Sequence, residues 1–245
     1  VPSTAQADWP NSGGNQGRNC LTSEIGPDAA DLLWSGGRSS LISWQPVIEG
    51  NRVFLVRQSG FPPEPPAGTS STVVAMDLDT GAELWFRNIP FATGDWTTWI
   101  AGVSHGRVYV SRSGNGASVS DNLLALDAAT GATLWQSQAI INAGAYDGVV
   151  FADDGDPIIA SFRDIWRINA EDGTTVWSTP RTASVSGNCG GAIGNGGFYV
   201  IDAAAGGNVI KKFDLTTGAF LYQSPSLGGF TIQNTVSGND KTACV

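Results

Sequence analysis

Apolar residues along this chain come in short runs broken by Gly, Asn, Asp or Pro, and no stretch keeps a helical period or a heptad. In four places two short apolar runs flank a cluster of turn residues: Pro46 to Val56, Ala101 to Val110, Val149 to Ala160 and Gly191 to Val200. Each reads as a β-hairpin. Downstream of each hairpin an apolar run leads into a nine-residue unit, and that unit recurs as Asp77 to Trp85, Asp127 to Trp135, Asn169 to Trp177 and Asp214 to Tyr222. Within it, Asp or Asn can accept hydrogen bonds from turn amides, and the Gly four residues later (Gly81, Gly131, Gly173, Gly218) can take positive φ without a Cβ clash. The unit is therefore a second hairpin.

Two hairpins per repeat make four strands, named A to D from the first to the last. The turn glycines stand 50, 42 and 45 residues apart, a period that belongs to radially repeated four-stranded sheets. The expected fold is all-β, a β-propeller of four-stranded antiparallel blades at about 43–86, 97–136, 146–178 and 189–223 within a domain spanning 23–245. Residues 1–22 form an N-terminal extension. Partial blade strands are expected at 25–34, which ends in Trp34 like an outer D strand, and at 230–245. The ring then either closes with five blades or is part of a larger one, and the larger ring is favoured because the chain stops within a strand-like run. The aromatic that ends each unit (Trp85, Trp135, Trp177, Tyr222) falls on a half-buried strand, where a flat side chain can fill the wedge between neighbouring blades.

Charge narrows the function. With 13 basic and 22 acidic residues in 245, the net charge is −9, and the basic residues form no run, so nucleic acid is excluded as a partner. No apolar stretch reaches membrane-spanning length. Ala5-Gln6-Ala7 has the small-x-small form of a signal-peptidase site and reads equally as an Ala-rich flexible terminus; the expected location is secreted, periplasmic or at the cell surface. Cys20, Cys189 and Cys244 lack paired metal-ligand spacing; one disulfide and one free cysteine, or three buried thiols, both fit them.

Strand order puts the D-to-A and B-to-C connections on one face and the tight turns on the other. The first face collects the recognition chemistry. Trp44, Gln45, Trp96, Trp99, Tyr146, Asp147, Asn188 and Gln233 all fall where innermost strands begin, and aromatics interleaved with amides can hold a planar ligand, a sugar or a peptide segment. The competing reading is that Trp44 and Trp99 simply plug the channel. On the turn face, the carboxylates of Asp153, Asp154 and Asp156 lack the alternating spacing of a calcium loop and read as a plain hairpin turn, as does the only histidine, His105. No catalytic, cofactor-binding or metal residue is assigned.

The repeats resemble those of the pyrroloquinoline-quinone-like (PQQ-like) β-propeller family, whose repeat reads approximately A-x-D-x-x-T-G-x-x-x-W. Asp8-Trp9-Pro10, Gly13-Gly14-Asn15 and Arg18 are similar to the lead-in of its secreted and periplasmic members. The resemblance implies a ring of seven or eight blades and docking of each Trp on a small residue, here Ala75 and Ala125. Arg167 and Lys212 take that place in later repeats and imply looser docking of Trp177 and Tyr222. Three functions follow from the resemblance. A non-catalytic scaffold like the outer-membrane assembly lipoprotein propellers would bind protein or peptide segments and need no cofactor. A quinone-dependent alcohol or sugar dehydrogenase would need adjacent cysteines or a catalytic histidine, which this sequence lacks. A propeller binding glycans or small ligands is the third reading.

Overall fold

The computed structural model describes residues 8–23, 28–29, 31–36, 41–42, 45–58, 70–90, 92, 94–114, 121–141, 149–182, 190–227, 237–238 and 243–244. All regular elements among them are strands, and every pairing is antiparallel. The first sheet holds β1 (Leu41–Ile42), β2 (Val47–Glu49), β3 (Arg52–Gln58), β4 (Ser70–Asp77) and β5 (Glu83–Pro90). Both β1 and β2 pair with β3, at its two ends, so together they act as one interrupted inner strand. The second sheet holds β6 (Asp95–Ser104), β7 (Arg107–Gly114), β8 (Asp121–Asp127) and β9 (Thr133–Ile141), paired in sequence order. The third holds β10 (Val150–Phe151), β11 (Pro157–Ala160), β12 (Asp164–Ile168) and β13 (Thr175–Pro180). The fourth holds β14 (Ala192–Gly194), β15 (Gly197–Ala204), β16 (Gly207–Asp214) and β17 (Phe220–Gln223). A short pair, β18 (Ser237–Gly238) with β19 (Ala243–Cys244), lies with β18 against β14.

The C-to-D turns are built alike. Asp77 Oδ1 accepts the Thr80 amide (2.8 Å) and hydroxyl (2.7 Å), while the Gly81 amide donates to the Asp77 carbonyl (2.8 Å). Asp127 with Thr130 and Asp214 with Thr217 repeat the arrangement. In the third repeat Asn169 Oδ1 takes the Glu171 amide instead, and Asp172 takes Thr174. These donors stabilise the ionised carboxylate, and the threonine hydroxyl leads in lowering the pKa of Asp77, Asp127 and Asp214 below the usual aspartate range.

The hydrophobic core lies between consecutive sheets rather than within any one of them. One cluster joins Phe54, Val73 and Trp85 of the first blade to Val103, Val108 and Leu126 of the second. A second joins Tyr109, Leu123 and Trp135 to Val149, Phe151 and Ile159 of the third, and another joins Ile158, Ile165 and Trp177 to Phe198, Val200 and Phe213 of the fourth.

Each junction is sealed by the same contact. The indole of Trp85 donates to the Ala128 carbonyl (3.0 Å), Trp135 to Ala170 (2.8 Å) and Trp177 to Leu215 (3.1 Å), in each case the residue after the Asp or Asn of the next turn. Trp34 makes the same bond to Leu78 (2.8 Å), so the segment 31–36 brings a docking tryptophan onto the first blade. The turn glycine has a second reason to be glycine. Besides φ values of 69–74°, a Cβ on Gly81, Gly131, Gly173 or Gly218 would come within 2.5–2.6 Å of the docked indole.

Arg167 does not loosen Trp177, contrary to the implication of the repeat. Trp177 is as buried as Trp85 and Trp135. The arginine runs alongside, donating Nη1 to the same Leu215 carbonyl (2.9 Å) and ion-pairing through Nε with Asp156 (2.9 Å). Tyr222 differs: it is 53% exposed, no turn covers it among the described residues, and its hydroxyl sits 3.4 Å from that of Tyr199 beside Lys212.

Candidate functional site

Most of the candidate recognition face lies outside the described residues: Trp44, Tyr146, Asp147, Asn188 and Gln233. Gln45 is exposed at the entrance of β2. Trp96 is 44% exposed near the start of β6, and its carbonyl accepts Gln58 Nε2 at 3.3 Å. Trp99 is 2% exposed and belongs to the core shared with Tyr109, Trp135 and Phe151, so it is not part of a recognition surface. The reason is strand alternation: residues three apart point to opposite sides, and Trp96 faces out where Trp99 faces in.

Two ionic clusters on this face carry chemistry that no spacing in the chain announced. At the second blade, Asp95 is buried and receives Arg112 through Nε (2.8 Å) and Nη2 (2.7 Å), a fork geometry that holds the guanidinium above its ordinary pKa. Arg112 Nη1 reaches Asp121 at 3.3 Å. Arg112, Asp121, Asn122 and Gln136 line a cavity of about 200 Å³ closed by Ile89 and Leu124. At the fourth blade, Asp202 is fully buried and accepts Lys211 Nζ (2.7 Å) and the amides of Ala203 (2.9 Å) and Thr182 (3.1 Å). Arg181 reaches across from the third blade, donating to the carbonyls of Ser161 (2.7 Å) and Ile201.

The turn face is closed by the N-terminal extension. Trp9 pairs with Ile48 of β2 through two backbone bonds of 2.9 Å, the Pro10 carbonyl accepts Val103 of β6 (2.8 Å), and the Gln16 carbonyl accepts Ile193 of β14 (2.9 Å). Gln16 Nε2 meanwhile donates to Phe151 O (3.0 Å) and Asp153 Oδ1 (2.9 Å) in the third blade. Residues 8–16 thus run along the inner strands of all four blades. Gly14, at φ 78°, lets the backbone lie against the Trp9 ring, within 2.8 Å of where a Cβ would stand. A cavity of about 270 Å³ remains between this strap and the blades, lined by Asn11, Gln16, His105 and Asp153.

The acidic turn of the third blade is a salt-bridged hairpin. Arg167 pairs with both Asp154 and Asp156, and Asp156 Oδ1 takes the Ala170 amide at 2.8 Å. His105 packs against Gly155 with φ 50°. Among the described residues no three His, Cys, Asp or Glu side chains converge as metal ligands. Cys20 is an exposed free thiol, whereas Cys189 lies outside the described residues. No helix among the described residues is long and apolar enough to cross a membrane.

A family model described as outer membrane protein assembly factor BamB matches residues 69–243. No curated protein matches the sequence. Among solved structures, BamB from Moraxella catarrhalis is 19% identical with a TM-score of 0.55, over 83% of this chain and 57% of that one. Quinohemoprotein alcohol dehydrogenase from Comamonas testosteroni is 16% identical with a TM-score of 0.61, over 91% of this chain and 42% of that one. A europium-containing methanol dehydrogenase is 14% identical with a TM-score of 0.52, over 74% and 41%. The chain spans about half the length of these structures, and at such identities the likeness is one of fold.

Proposed function

The chain belongs to the outer membrane protein assembly factor BamB family, and on that premise we propose that it is a non-catalytic propeller of the cell envelope that holds protein segments on its loop-rich face. The observation that carries this reading is the state of the buried carboxylates there. Asp95 is held by Arg112, and Asp202 by Lys211 and two amides, so neither stands as an unpaired carboxylate placed to take a substrate proton or a cation. A surface of this kind, with Trp96 and Gln45 presented beside carboxylates that are already paired, suits recognition better than turnover.

The dehydrogenase neighbours raise the question of a quinone. The described residues do not fit one held with a metal ion, because the carboxylates that could ligate it are committed to arginine and lysine, and the acidic turn on the opposite face is committed to Arg167. The sequence also lacks adjacent cysteines. The test is reconstitution of the purified chain with pyrroloquinoline quinone and calcium, followed by dye reduction over a panel of alcohols and aldoses. No reduction above the protein-free control is expected. Substrate-dependent reduction that disappears when the quinone is omitted would replace the scaffold by an enzyme.

A further inference from the structure

The cluster at the fourth blade is out of charge balance. Among the described residues Arg181 and Lys211 face a single carboxylate, Asp202, so the group carries one positive charge inside a protein of net charge −9. Between Asp172 and Asp240 the sequence has no other acid except Asp214, which is engaged by the amides and hydroxyl of its own turn. Arg163 and Asp164, on the neighbouring connection, add one charge of each sign.

The imbalance is buried. Arg181 is 7% exposed, and its Nε makes no hydrogen bond, the nearest carboxylate oxygen of Asp202 lying 4.0 Å away. A desolvated cation without a full partner is costly, so the cluster gains from one more negative group. A way in exists. Lys211 Nζ spends two of its three protons on Asp202 and the Thr182 hydroxyl, and Thr182 is exposed. The cluster at the second blade is the useful contrast, since one arginine there faces two carboxylates and has nothing to gain from an anion.

We propose that Lys211 and Thr182 form an anion site that binds one carboxylate group, with Arg181 supplying positive charge behind them. The Lys211 ammonium and the Thr182 hydroxyl donate to the ligand. A monoanion brings the cluster to neutrality, whereas a phosphate dianion would overshoot, which is why the assigned ligand is a carboxylate. The site goes beyond the scaffold reading, because a free small acid satisfies it as well as the side chain of a bound protein segment.

The test is a titration of isotope-labelled protein with sodium acetate, at ionic strength held constant with chloride, following the amides of Thr182 and Ala203. A saturable shift confined to this cluster is expected, weakened about tenfold or more in Lys211→Met and Thr182→Val, as for loss of a charge-assisted hydrogen bond, and unchanged in Lys212→Met. A short peptide with one glutamate, compared with its glutamine counterpart, separates the sources: tighter binding than acetate assigns a protein segment, and equal binding assigns a small acid. A shift that chloride reproduces, wild-type affinity in both variants, or tighter binding of phosphate than of acetate would overturn the site. If Lys211→Met does not fold, Thr182→Val decides.

Discussion

Replacing Trp135 by Ala perturbs the blade junction at its most constrained point. The ring is buried, its centroid lies 5.8 Å from that of Tyr109, Gly173 is pressed against its face, and its indole is the donor that satisfies the Ala170 carbonyl. Removing a large packed aromatic costs about 3 to 5 kcal/mol. The orphaned carbonyl adds about 1 kcal/mol, so a loss in the upper part of that range is expected. Tyr222 provides the internal control, since it holds the equivalent position in its repeat but is half exposed: Tyr222→Ala should cost about 1 kcal/mol or less. Trp177→Ala should behave like Trp135→Ala, because Arg167 runs beside that indole without displacing it. Urea unfolding followed by near-ultraviolet circular dichroism measures all three. Hydrogen exchange at the junction of the second and third blades guards against blade-by-blade unfolding, to which repeat arrays are prone. Equal losses for Trp135 and Tyr222, or a Trp177 variant as mild as the tyrosine one, would refute the docking argument.

Gly173→Ala should cost more than about 1 kcal/mol in the same titration, through both positive φ and the clash with Trp135. Arg167→Met leaves the largely buried Asp156 without its ion partner and should cost roughly 2 kcal/mol, less than a fully buried pair, while calcium added to the native protein leaves its melting temperature unchanged. The folded pKa values of Asp77, Asp127 and Asp214 are depressed, so their contribution to stability is complete above the unfolded value near 4 and is lost as pH falls through the folded values. A melting temperature measured from neutral to acidic pH should fall in that window, and more shallowly when all three are Asn.

The repeat architecture was legible because each blade carries its own local signal: an Asp or Asn, a glycine four residues later and an aromatic four residues beyond that. What the glycine does besides turning could not be read locally, because the ring that needs the space comes from the preceding blade, 46 residues upstream for Gly131 and Trp85. The same is true of Arg167, which looked like an obstacle to docking and instead runs beside the docked ring. The ionic clusters were missed for a related reason. Arg181 and Asp202 stand 21 residues apart on different blades, and no motif links an isolated arginine to an isolated aspartate. Trp99 stands near the channel entrance in sequence, but strand alternation turns it inward and it joins the core between the second and third blades. The extension's path rests on backbone bonds to three of the four inner strands and on the Gln16 side chain at the third, and backbone bonds leave little trace in side-chain pattern.

The central claim, recognition on the loop-rich face, is tested most directly by mapping where a protein segment binds. Hydrogen exchange of the intact chain would be compared with and without an unfolded polypeptide. The account predicts added protection near Trp96 at the start of β6 and around Thr182 and Asp202, with the C-to-D turns unchanged. Protection confined to those turns, or none at saturating polypeptide, would contradict it.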